Sequence, residues 1–264
     1  MKIAIHSVRN SWKGTVILLL AFAGLVAMII SIYPDMKGSI DMWMDNLPDS
    51  ALSAFGRSGL ELSMVEGYLN MEFYQWGWVL ILGVYFAFIS SSVISKEIEN
   101  KTIDMLLSNP VSRARVVLEK FLGLVPGVIL MNVAMPIVIL GCLKYANETI
   151  NVTYLFYTHF ASVFYLCAVC ALGLLFSVIF DETRRANVVA IGVISGMYIM
   201  EILSLISEKY SAIGKITIIH YYDPGEILVH HHIEASDVVI LFFITAVLLV
   251  AAAIYFEKRD IAIS

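Results

Sequence analysis

Residues 121–141, FLGLVPGVILMNVAMPIVILG, run for 21 positions without a charged side chain. Five further stretches are as apolar or nearly so: 15–33, 76–94, 158–180, 186–207 and 237–256. Each is about long enough to cross the roughly 30 Å hydrocarbon core of a bilayer as a helix. The alternative, six helices buried in a water-soluble core, fails on composition. A chain of 264 residues with 59 % hydrophobic side chains, 15 % charged ones and a mean hydropathy of +0.83 lies outside the soluble class. The expected fold class is therefore an all-α polytopic membrane protein with six transmembrane helices, forming a single domain over 1–264. The first stretch starts too late and runs too long for a cleavable leader, so it reads as a retained span.

Six spans put both ends of the chain on one side. The termini and the connections on that side hold 12 of the 17 basic residues, among them Lys96, Lys101, Arg113, Arg115, Lys120, Arg184 and Arg185. Positive-inside counting places both termini and the 95–120 connection in the cytoplasm of a cell whose plasma membrane the chain spans. The opposite side begins with an acidic stretch, 34–75, which has seven carboxylates against two basic residues. Within it, SALSAF after Leu47-Pro48-Asp49 and Leu60 through Phe73 read as two short extracytoplasmic helices. They pack over the spans or form a lid. Two acceptor sequons, beginning at Asn147 and Asn151, also fall on that outer side. Cys142, Cys167 and Cys170 sit in or beside apolar spans, and read as packing residues rather than a disulfide framework or zinc site.

The most charged segment, KEIENKTIDMLLSNPVSR (96–113), separates the second and third spans. On a helical wheel Ile98, Ile103, Met105, Leu106 and Leu107 share one arc, and Glu97, Asn100, Lys101 and Asp104 crowd the other. Pairs at i,i+3 and i,i+4 (Glu97 with Lys101, Lys101 with Asp104) support a helix over 97–107, and Pro110 ends it. Glu99 falls inside the apolar arc. A helix lying on lipid has no use for a carboxylate there, whereas one docked on a protein does. The plainer alternative is an interfacial loop helix whose acids face water. Residues 1–14 repeat the design with Lys2, His6, Arg9 and Lys13 along one edge and Trp12 as anchor, which fits an N-terminal interfacial helix and equally one that lines a partner.

Few ionisable groups enter the spans. Glu201 stands about 22 Å along the fifth, near the outer headgroups, as an interfacial acid or a substrate contact. Asn132, between Pro126 and Pro136 in the third span, needs a partner or lines a polar path. Ser90, Ser91 and Ser92 serve packing or their own helix. His230, His231 and His232 read as a solvated loop in preference to a metal site, since neighbouring histidines point different ways. No zinc-protease motif, nucleophile context or Walker pattern occurs, so the chain shows no means of hydrolysing ATP itself.

Segment 96–113 resembles the cytoplasmic signature of type 2 permeases of the ABC transporter superfamily. Acids come first (Glu97, Glu99), then Thr102, Leu106-Leu107, Pro110 and Ser112-Arg113. LPDSALSAFG with EGYLNMEF is similar to the outer loop of one branch of that family, and YFEKRDI (255–261) to its common ending. Lys101 departs from the pattern, where glycine is common, and the intrinsic preference of lysine for helix suggests a slightly altered local geometry. The resemblance implies that the 97–109 helix is a coupling helix docked on a separate nucleotide-binding ATPase subunit. Glu97, Glu99, Thr102, Leu106, Leu107, Pro110 and Arg113 would form the docking set. ATP and Mg would be bound by that partner, with no cofactor in this chain. It further implies a second permease chain, identical or related, within membrane lipid, export as the direction, and no nucleic-acid partner. Substrate identity is open: drug, lipid, peptide, sodium or metal-related export all fit. Two other functions remain at this level. One is a recruitment complex that uses the same docking helix without moving solute. The other is an ion-driven secondary transporter, against which stand the scarce mid-membrane charges.

Overall fold

The computed structural model describes residues 2–44, 64–102, 112–206 and 208–259. These form helices with no strand among the described residues, and six of the helical stretches are long and apolar enough to cross a membrane. The candidate spans are Trp12–Lys37, Val65–Glu99, Arg113–Ala146, Val152–Ile179, Thr183–Ile206 and Ala235–Lys258. The even number returns both chain ends to one end of the bundle, here named the termini face. Pro126 and Pro136 stay inside a continuous third span, Arg113–Ala146. Within a bundle, neighbouring helices and side chains accommodate the backbone groups a proline frees.

The caps explain where spans begin and end. Ser112 accepts the Arg115 backbone N–H at 3.3 Å and opens the third span. Asn147 closes it in the left-handed region (φ 57°). Asn151 opens the fourth by accepting the Thr153 and Tyr154 backbone N–H groups. Both sequon asparagines are thus helix-end residues.

The fourth span is the axis of the bundle, and the second is fastened to it along its length. Two residues near one end, His159 and Ser162, lie against Tyr74 and Trp78: the Tyr74 hydroxyl is 3.0 Å from His159 Nε2, and Trp78 Nε1 donates to Ser162 Oγ at 2.6 Å. Next, the Tyr165 hydroxyl donates to the Val79 carbonyl at 2.7 Å. Gly173 then lets the backbones close up, since a Cβ there would stand 2.8 Å from the Ala87 carbonyl oxygen. Finally Ser177 Oγ accepts the backbone N–H groups of both Ile94 and Ser95, where the second span breaks before a short helix, Ser95–Glu99. The contacted part of the second span is itself unusual. Asn70–Leu82 is π-helical, between α-helical Val65–Leu69 and Gly83–Ser92. Such geometry is rare and recurs at functional sites. Asn70, Tyr74, Trp78 and Leu82 form its fully buried stripe.

Three sequence expectations change. Residues 2–44 form one helix, so 1–14 is not a separate element; nothing in that stretch interrupts a helix but Gly14, which is tolerated. The expected outer helix over 60–73 is, from Val65 onward, the first turns of the second span, with Tyr68 packed on Tyr33 at 5.1 Å. The SALSAF helix lies outside the described residues. The first turn of the helix expected over 97–107 belongs to a short helix that ends at Glu99, and positions 103–107 lie outside the described residues. Lys101 adopts φ 56°, its N–H donates to the Ile98 carbonyl, and the Thr102 N–H reaches back to Glu97 O at 2.9 Å. That pair of bonds is a Schellman turn, which satisfies the carbonyls of the last helical turn and overrides the helix preference of lysine. Lys101 therefore occupies a position that suits glycine, the residue the resemblance led us to expect there.

Candidate functional site

The short helix Ser95–Glu99 emerges at the termini face, and each of its two acids meets another span. Glu97 Oε1 forms an ion pair with the ammonium of Lys120, a buried side chain on the third span. A buried lysine survives there because it is paired; removing its carboxylate would strand a charge. Glu99 Oε2 accepts the Thr183 backbone N–H at 3.1 Å. Thr183 begins the fifth span, so the carboxylate caps that helix at its electropositive end. The acid that the wheel leaves on an apolar arc thus has a partner within the same chain.

On the far side of the segment, Arg113 starts the third span and reaches the end of the sixth. Its Nη1 donates to the carbonyl of Phe256 at 2.9 Å and to that of Arg259, and its guanidinium lies 5.5 Å from the centre of the Phe256 ring. Arg259 in turn donates to the Val178 carbonyl, at the end of the fourth span, and pairs with Asp181. One electrostatic rule unites these ties: cations sit on helix C-termini and an anion on an N-terminus. Thr102, exposed, lies at the start of the interval between the two tied ends. Leu106, Leu107 and Pro110 lie outside the described residues.

The other sequence-predicted residues sit elsewhere. Ser91 and Ser92 both donate to Asn187 Oδ1 on the fifth span, at 2.7 and 2.8 Å. Asn132 is buried in the third span; its Nδ2 donates to the Val128 carbonyl at 2.9 Å and its Oδ1 lies 3.3 Å from His159 Nδ1. The amide oxygen requires His159 Nδ1 to be the donor, and Nε2 meets the Tyr74 hydroxyl. His159 thus completes a polar chain through three spans. Sequence reasoning missed His159; its signal was a lone histidine eight residues into an apolar span.

Glu201 lies at the opposite face and is buried. His220 Nδ1 donates to its two oxygens at 3.1 and 3.2 Å, and Thr217 Oγ1 donates at 3.3 Å. A Cβ on Gly214 would stand 2.8 Å from the same carboxylate, so only glycine lets the 208–221 turn close over it. Nearby Tyr222 stacks on Tyr165 with ring centres 5.1 Å apart, and burial pushes its hydroxyl pKa well above the ordinary value. His231 stacks on Tyr154 at 4.4 Å. Among the described residues no three histidine, cysteine, aspartate or glutamate side chains gather as a metal-binding group.

Residues 1–261 match the family model described as ABC-2 family transporter protein. No curated protein matches the chain.

Proposed function

The chain belongs to the ABC-2 transporter family, and from that premise we propose that it is the permease subunit of an ATP-driven exporter. A separate nucleotide-binding subunit docks at the cytoplasmic termini face and supplies ATP hydrolysis. The observation that carries this reading is the mounting of segment 96–113. It joins the second and third spans, and its flanks are tied to the third, fifth and sixth. A protein seated between those flanks moves several spans at once, which is what coupling requires. In this reading Glu97, Glu99 and Arg113 brace the docking segment, while Thr102 and the interval holding Leu106, Leu107 and Pro110 meet the ATPase.

A second permease chain completes the pathway. Gly192 and Gly196, four apart on the fifth span, have no atom within 4 Å of where a Cβ would stand. Small residues at that spacing let another helix approach closely.

Glu99→Arg tests the docking reading. It removes the Thr183 cap and sets a cation at a helix N-terminus, so affinity for the nucleotide-binding subunit should fall about tenfold while the permease stays folded. Pull-down from mild detergent and ATPase assay of the reconstituted pair measure this. Unchanged complex yield with unchanged coupled hydrolysis would refute the assignment.

A further inference from the structure

The two flanks of the docking segment are also joined by a route that bypasses the segment. Arg113, at the trailing flank, donates to the Phe256 and Arg259 carbonyls. The Arg259 side chain donates to the Val178 carbonyl and pairs with Asp181. Two residues past Asp181, the Thr183 N–H donates to Glu99 at the leading flank. Bonds and backbone together join 99 to 113 through 183–178 and 259–256, and the Glu97–Lys120 pair with the 113–120 backbone closes that path into a ring that contains no residue of 100–112.

We propose that Arg259 closes this ring and is a positioning residue for the docking segment. The role of the segment in ATPase binding rests on the function proposed above; the ring does not. Arg259 is suited to the task because a guanidinium presents several donors in one rigid fork. One arm serves a backbone carbonyl and the other a carboxylate, an arrangement a lysine ammonium reproduces only in part. The carbonyl bond dominates. Val178 lies in the last turn of the fourth span, where carbonyls lack intrahelical donors, whereas the Asp181 side chain is 74 % exposed and its ion pair is screened. Without Arg259 the link between the fourth and sixth spans opens, and the two flanks lose this longer tie while keeping the Glu97–Lys120 pair.

Hydrogen exchange on the full chain in lipid nanodiscs tests this directly. Arg259→Ala should raise exchange about tenfold in peptides covering 96–102 and 183–187, leaving peptides in the middle of the spans unchanged. Arg259→Lys should recover part of the protection, and Asp181→Ala should change it less than twofold. Arg185→Ala, which removes an exposed pair with Glu182 that supplies none of the ring's bonds, should change nothing. Wild-type exchange at 96–102 and 183–187 in Arg259→Ala overturns the proposal, and so does a uniform rise across all spans. In the same preparations, binding of the nucleotide-binding subunit that purifies with the wild-type chain should weaken about tenfold. Opened flanks with unchanged binding would uphold the ring and sink the docking reading instead.

Discussion

The two faces of the bundle each set a carboxylate against a basic side chain, but they recruit their partners at opposite ranges. At the termini face the tied residues are far apart in sequence: 23 positions for Glu97 and Lys120, 84 for Glu99 and Thr183, 143 for Arg113 and Phe256. At the other face Glu201 takes its partners from 16 and 19 positions along, in the turn that follows its own span. The first arrangement stitches different spans together. The second folds a return loop onto the helix it came from. The faces should therefore fail differently, one through the whole bundle and one locally.

The largest effect is expected from Glu97→Leu, which leaves the buried Lys120 ammonium without its anion. Breaking such a pair costs on the order of 3–5 kcal/mol, while replacing both members with apolar residues restores most of it. Denaturant unfolding of Glu97→Leu and of Lys120→Met/Glu97→Leu measures the two; equal midpoints would show that the pair is not what holds the face. Gly173→Ala comes next. Its new methyl meets the Ser90 hydroxyl and the Ala87 carbonyl, and forcing apart the second and fourth spans should cost about 1–3 kcal/mol. Tryptophan fluorescence reads that separation, because Trp78 lies in the same contact. Glu201→Gln should do least, about 1 kcal/mol, since the amide keeps one acceptor for His220 or Thr217. Protease cutting within 208–234 should rise while exchange at 96–102 stays at wild type. A change at 96–102 would erase the distinction between the faces.

Much of the bundle was legible in the sequence because a bilayer demands it: apolar stretches of fixed length can be counted. Charge counts also drew attention to 96–113. What escaped was pairing across distance. A wheel marks Glu99 as misplaced, but no local pattern names Thr183, and nothing near Glu97 points to Lys120. The polar chain at Asn132 was half visible, as a residue needing a partner. His159 was hidden because its neighbours make the span read as wholly apolar. Lys101 shows a different failure, in which propensity favoured continuing the helix while the unsatisfied carbonyls of its last turn favoured closing it. Glu201 was placed by its depth along the span, and depth carries no information about the turn that folds back to cover it.

The hydroxyl of Ser177 accepts two amides from the point where the second span breaks. A helix that bends at a proline of its own carries the kink with the segment. Here the stabilising oxygen belongs to a helix some eighty residues downstream. The break is thus conditional on assembly order. A nascent second span, inserted before the fourth has left the ribosome, lacks the acceptor for its Ile94 and Ser95 amides and is driven to remain a straight rod. Its final shape, and with it the direction in which segment 96–113 sets out, is acquired only when the fourth span arrives beside it.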